Sequence, residues 1–116
     1  MSPELIDHFR NPRNVGDLPA PALTVEVSNP VCGDILRLSV LIEDGTVKEA
    51  RYKVRGCTAS IAAGSALTEL MVGKKASDLQ LLGRNDVERA VGGLSNESKH
   101  AALLCEDAVR RIQTAP

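Results

Sequence analysis

The chain has 116 residues, 43% of them hydrophobic and 25% charged, which is the composition of one folded globular domain at the common size and excludes a disordered or fibrous state. With 14 Lys and Arg against 15 Asp and Glu the formal net charge is -1, and aromatics make up 2%, so the basic surplus and stacking rings of a generic nucleic-acid binder are absent. No apolar run approaches the ~20 residues that span a bilayer, and the start, Met1-Ser2-Pro3-Glu4-Leu5-Ile6-Asp7, lacks the basic and continuously apolar stretches of a secretory signal. The expectation is a cytoplasmic protein with reduced thiols and neither a membrane nor a nucleic-acid partner.

In chain order, Ser2 caps a short helix with Pro3 at its first position, and Asn11-Pro12 closes it. Residues 15–21 carry two prolines and no periodicity, which reads as a connection. Three alternating runs follow: Leu23, Val25 and Val27; Leu36, Leu38, Val40 and Ile42; then Ala50, Tyr52 and Val54. Each predicts a strand with one buried and one wet face. Asp44-Gly45 between the second and third is a type I′ hairpin signal, so the sheet is antiparallel. After Cys57 the period becomes helical through Ala59, Ala63, Ala66, Leu67, Leu70 and Met71, with Gly73 as a stop. Asn85 with Glu88 resembles a capping box for a short helix ending at Gly92-Gly93, and Ser95 or Asn96 caps a last helix to about Thr114. Strands clustered before helices predict a single α+β domain over residues 1–116: a three-stranded antiparallel sheet with helices packed on one face.

The residues with chemistry fall at element ends. Cys32-Gly33-Asp34 precedes the second strand, and Cys57 joins the third strand to the long helix, where free N–H groups and the helix dipole favour a thiolate. His100 falls near the start of the last helix. Two thiolates, an imidazole and a carboxylate suit zinc or an iron-sulfur cluster. Each residue also has an ordinary structural reading: the cysteines as core packing, Asp34 as a turn former, His100 as a surface histidine, and the small residues 59–66 as a surface for close helix–sheet approach. Cys105 lies in the apolar stripe of the last helix with Ala101, Leu104, Ala108 and Ile112, which predicts that it packs into the core.

The order of Leu5-Ile6-Asp7-His8 with Asn11-Pro12-Arg13-Asn14-Val15-Gly16, Asn29-Pro30-Val31-Cys32-Gly33-Asp34, Gly56-Cys57-Thr58-Ala59-Ser60-Ile61-Ala62, and Lys99-His100 before Glu106-Asp107-Ala108 resembles the NifU/IscU-type iron-sulfur cluster assembly scaffolds. The resemblance covers nearly the whole chain. It implies a non-enzymatic scaffold on which sulfur from a cysteine desulfurase and iron form a [2Fe-2S] cluster for recipient apoproteins, with zinc as an alternative occupant. It also implies Cys32, Asp34, Cys57 and His100 as ligands. The family pattern has a third cysteine directly after the histidine, where this chain has Ala101, and a proline-containing stretch before it, where residues 92–97 read Gly-Gly-Leu-Ser-Asn-Glu. Two other roles therefore stand beside the scaffold: a zinc-bound sulfurtransferase accessory of a desulfurase, and a structural or regulatory derivative that assembles nothing.

Overall fold

The computed structural model describes residues 1–31 and 33–115. Helix α1 (Pro3–Arg10) begins as expected: Ser2 Oγ accepts the Leu5 N–H at 3.0 Å, and Pro3 occupies the position where a missing N–H costs nothing. Strands β1 (Leu23–Ser28), β2 (Ile35–Glu43) and β3 (Thr46–Arg55) form an antiparallel sheet in the order β1-β2-β3. Both Asp44 (φ 52°) and Gly45 (φ 74°) lie in the left-handed region, as a type I′ turn requires. The third strand starts directly after this turn, four residues before the alternation at Ala50 becomes legible.

Helix α2 (Thr58–Met71) and helix α4 (Lys99–Thr114) cover one sheet face, and α1 packs on α2. Their apolar sides close over Leu36, Leu38, Val40, Ala50 and Tyr52, all at most 2% exposed. The other face carries Glu26, Arg37 and Lys53, with Asp17 bridging Arg37 and Lys53. Ser39 on that face is nevertheless fully buried, bonded to Thr24 across the β1–β2 pair. The connection after α1 also contributes to the sheet: Tyr52 donates its N–H to Asn14 O, and Gly16 donates to Tyr52 O, covering the free edge of β3.

In the second half the helix starts differ from those the capping signals predict. Helix α3 (Arg84–Ala90) starts after Gly83 rather than after Asn85, and it is Asp86 that reaches back to accept the Gly83 N–H. A 3-10 helix, Ala76–Leu81, precedes it; its two turns are too short to show a periodicity. Another 3-10 turn, Asn96–Ser98, begins after Ser95 and delays α4 to Lys99. That shift makes His100 the second residue of α4. Cys105 is buried as expected, 1% exposed between helix and sheet.

Candidate metal centre

Antiparallel register determines where the chemistry meets. Ile35 at the start of β2 pairs with Arg55 at the end of β3, so Asp34 and Gly56-Cys57 lie side by side at one end of the sheet. Gly33, at φ 77°, donates to Asn29 O at 2.7 Å while Asn29 donates to Asp34 O, which closes the loop entering β2. Helix α2 leaves from Cys57, its N-cap residue, and α4 starts at the same end of the molecule.

Three expected ligands converge there. Cys57 Sγ lies 3.3 Å from Asp34 Oδ2 and 3.5 Å from His100 Nε2, and His100 Nε2 lies 3.4 Å from Asp34 Oδ2. Metal–sulfur bonds near 2.3 Å and metal–nitrogen or –oxygen bonds near 2.0–2.1 Å at tetrahedral angles predict ligand-to-ligand edges of about 3.3–3.6 Å. The observed distances match one face of such a tetrahedron, so the donor set fits a single zinc or iron ion. Cys32, the fourth expected ligand, lies outside the described residues.

The three side chains differ in environment. Asp34 is 5% exposed, while Cys57 is exposed and His100 half-buried. Burial works to raise the Asp34 pKa, but hydrogen bonds from Ser60 and Cys57, with His100 alongside, outweigh it and hold the carboxyl below its usual range. The site therefore keeps an anionic oxygen at neutral pH. Asp34 is no mere turn former, because its carboxylate reaches across the fold rather than to its own loop. Cys57 also borders a cleft of about 500 Å³ whose walls include Ser2, Leu5, Ala59 and Leu94, so the thiol can be approached from outside.

Two neighbours escaped the sequence reading. Ser60, read as one of several small packing residues, donates its hydroxyl to Asp34 Oδ2 at 2.5 Å. Gly56 is the second: a Cβ there would lie 2.5 Å from Asp34 Cγ. The available signal was their position, directly before Cys57 and three residues after it.

A family model of the NifU-like N-terminal domain matches residues 1–114. The chain belongs to that family. This NifU-like domain is 36% identical over 110 residues to iron-sulfur cluster assembly scaffold protein IscU 1 of Archaeoglobus fulgidus, covering 95% of this chain and 72% of the relative. To the scaffold protein IscU of Escherichia coli it is 34% identical over 113 residues, covering 94% and 88% of the two chains. Among solved structures, the N-terminal part of a NifU-like protein from Brucella abortus superposes with a TM-score of 0.64 at 20% identity, covering 96% of this chain and 81% of that one. A candidate SUF-system scaffold from Fervidobacterium islandicum superposes with a TM-score of 0.74 at 17% identity, covering 95% and 93%. The three-stranded antiparallel sheet with its helices is thus the fold of NifU-like domains. Among the described residues no helix is long and apolar enough to cross a membrane.

Proposed function

We propose that this NifU-like domain is a scaffold or carrier for iron-sulfur cluster assembly, with Cys32, Asp34, Cys57 and His100 as the ligands of its cargo. The observation that carries the reading is the meeting of Cys57, His100 and Asp34 at one end of the sheet, beside an exposed thiol, in a chain related to proteins named as cluster scaffolds. Soft thiolates hold iron or zinc firmly, and a hard carboxylate gives an exchangeable bond suited to release. The donor is a cysteine desulfurase and the recipients are apoproteins. In sulfur delivery the Cys57 thiolate attacks the outer sulfur of the donor's persulfide; a new S–S bond forms on Cys57 and the donor's thiolate leaves. Nothing in this cycle makes the protein itself an enzyme.

A second reading, a zinc-bound sulfur relay that never builds a cluster, draws on two observations. The triangle of Cys57 Sγ, His100 Nε2 and Asp34 Oδ2, with edges of 3.3–3.5 Å, is dimensioned for one ion, whereas a [2Fe-2S] unit divides four terminal ligands between two irons. In addition, Ala101, where the family pattern has its third cysteine, is fully buried and carries no thiol. Protein purified without oxygen separates the two. A cluster spectrum after supply of iron and sulfide supports the scaffold; a colourless protein that retains one zinc, accepts persulfide sulfur and gains no visible absorption overturns it.

A further inference from the structure

Ser60 lies on the first turn of α2 and is 2% exposed. Its hydroxyl donates to Asp34 Oδ2, the same oxygen that faces Cys57 Sγ and His100 Nε2. A carboxylate oxygen offers two lone-pair directions. Ser60 takes one at 2.5 Å, while the Cys57 N–H approaches the same oxygen at only 3.4 Å, so the hydroxyl is the close donor on an oxygen that also faces the sulfur and the imidazole. On its other side the carboxylate rests against Gly56, where a Cβ would lie 2.5 Å from Cγ, 2.7 Å from Oδ1 and 2.8 Å from Oδ2. Asp34 is therefore held between a backbone that has no side chain and a hydroxyl that fixes one oxygen.

We propose that Ser60 is a positioning residue of the metal site: its hydroxyl selects which oxygen of Asp34 is presented and holds that oxygen toward an ion bound with Cys57 and His100. The inference rests on the metal-site reading above. Without the donor, Asp34 can swing about its terminal torsion, and each binding event must restore the orientation that Ser60 now maintains. The hydroxyl also draws electron density from the oxygen and so weakens it as a donor. Orientation dominates, because three ligand atoms must stand within a few tenths of an ångström of tetrahedral edges before an ion can bridge them. Outer-shell partners of this kind contribute about 10- to 100-fold in metal affinity.

The test uses Co²⁺ as the probe, titrated without oxygen into the metal-free full chain and followed by the thiolate charge-transfer and ligand-field bands. Ser60→Ala is expected to bind Co²⁺ about tenfold more weakly or worse, with altered ligand-field bands and an unchanged circular dichroism spectrum. In an Asp34→Ala background the same substitution should cost much less, since its main effect runs through that carboxylate and only the long 3.5 Å contact between Cys57 Sγ and Ser60 Oγ remains to be lost. Wild-type affinity and bands in Ser60→Ala, or an equal loss in the Asp34→Ala background, overturn the inference while leaving the site intact. A wild-type protein that binds no Co²⁺ at all overturns the metal-site reading and this inference with it.

Discussion

At the scale of single residues, Gly56 shows how a missing side chain shapes a site. Its backbone is compatible with Ala, so the cost of Gly56→Ala comes from the collision of the new Cβ with the Asp34 carboxylate. Forced overpacking of this kind costs about 1–3 kcal/mol. We expect a lower midpoint in chemical denaturation and weaker Co²⁺ binding. The loss of stability should largely disappear in the double variant Gly56→Ala/Asp34→Ala, and its persistence there would show that the glycine is needed for another reason. Cys105 presents the opposite case, a reactive group made inert by its surroundings. Burial pushes its thiol pKa up to about 12, so it stays protonated at neutral pH, which opposes a role as nucleophile. Cys105→Ala should retain full metal stoichiometry and lose about 1 kcal/mol of stability to a small cavity. An emptied metal site in that variant would mean that this thiol has taken over from the one absent at Ala101.

At the scale of elements, α1 is fastened to α2 by a buried imidazole. His8 Nδ1 lies 2.8 Å from Ser65 Oγ and 3.2 Å from Arg13 Nη1, while His8 Nε2 faces Glu69 at 3.5 Å. A guanidinium can only donate, so Nδ1 is assigned as the acceptor and the ring as neutral with its proton on Nε2. Burial, then the charge of Arg13, lowers the His8 pKa; Glu69 and Asp7 oppose them without reversing the shift. The sign of the linkage follows. The unfolded chain, with an ordinary imidazole near 6.5, takes up its proton before the folded one does. The stability is therefore complete above about pH 6.5 and declines as pH falls below it toward the depressed folded pKa. Thermal unfolding of the metal-free protein at pH 7.5 and 5.5 should show a larger loss in wild type than in His8→Gln. Equal losses would remove His8 as the cause.

At the scale of the whole molecule, the close contact of α2 with the sheet holds the site end together. Tyr52 on β3 donates its hydroxyl to Ile61 O at 2.8 Å, and its ring lies where a Cβ on Gly64 would come within 2.5 Å of Cδ2. This contact sets the height of α2 above β3, and with it the relation of Cys57 to Asp34. Replacing a helix-interior glycine by alanine ordinarily gains up to about 1 kcal/mol from helix propensity. Here the ring reverses the sign, and Gly64→Ala is expected to lower stability by about 1–3 kcal/mol. A stabilised Gly64→Ala protein would show that the helix can rise off the sheet at no cost.

Period and punctuation made most of this architecture legible. Alternation at 23–27, 36–42 and 50–54 marked the strands, Asp44-Gly45 marked the hairpin, and Ser2-Pro3 marked the first cap, because each signal acts between residues close in sequence. The start of α3 was not legible for the converse reason. Gly83 is capped by Asp86 and its neighbour Arg84 donates to Glu106 of a distant helix, so the boundary is decided by a partner 22 residues away. The same division holds at the site. The residue types of Cys32, Asp34, Cys57 and His100 suited a metal from the sequence by itself, since thiolate, imidazole and carboxylate carry their chemistry wherever they lie, while their assignment as one ligand set came from the family resemblance. The separations of 3.3–3.5 Å among Asp34, Cys57 and His100 were decided only by tertiary structure, because the β2–β3 register, the Tyr52–Gly64 contact and the α4 start bring together atoms up to 66 residues apart in the chain. Ser60 belongs wholly to that second class: a serine in a run of small residues says nothing of a carboxylate 26 positions earlier until the strand and the helix meet.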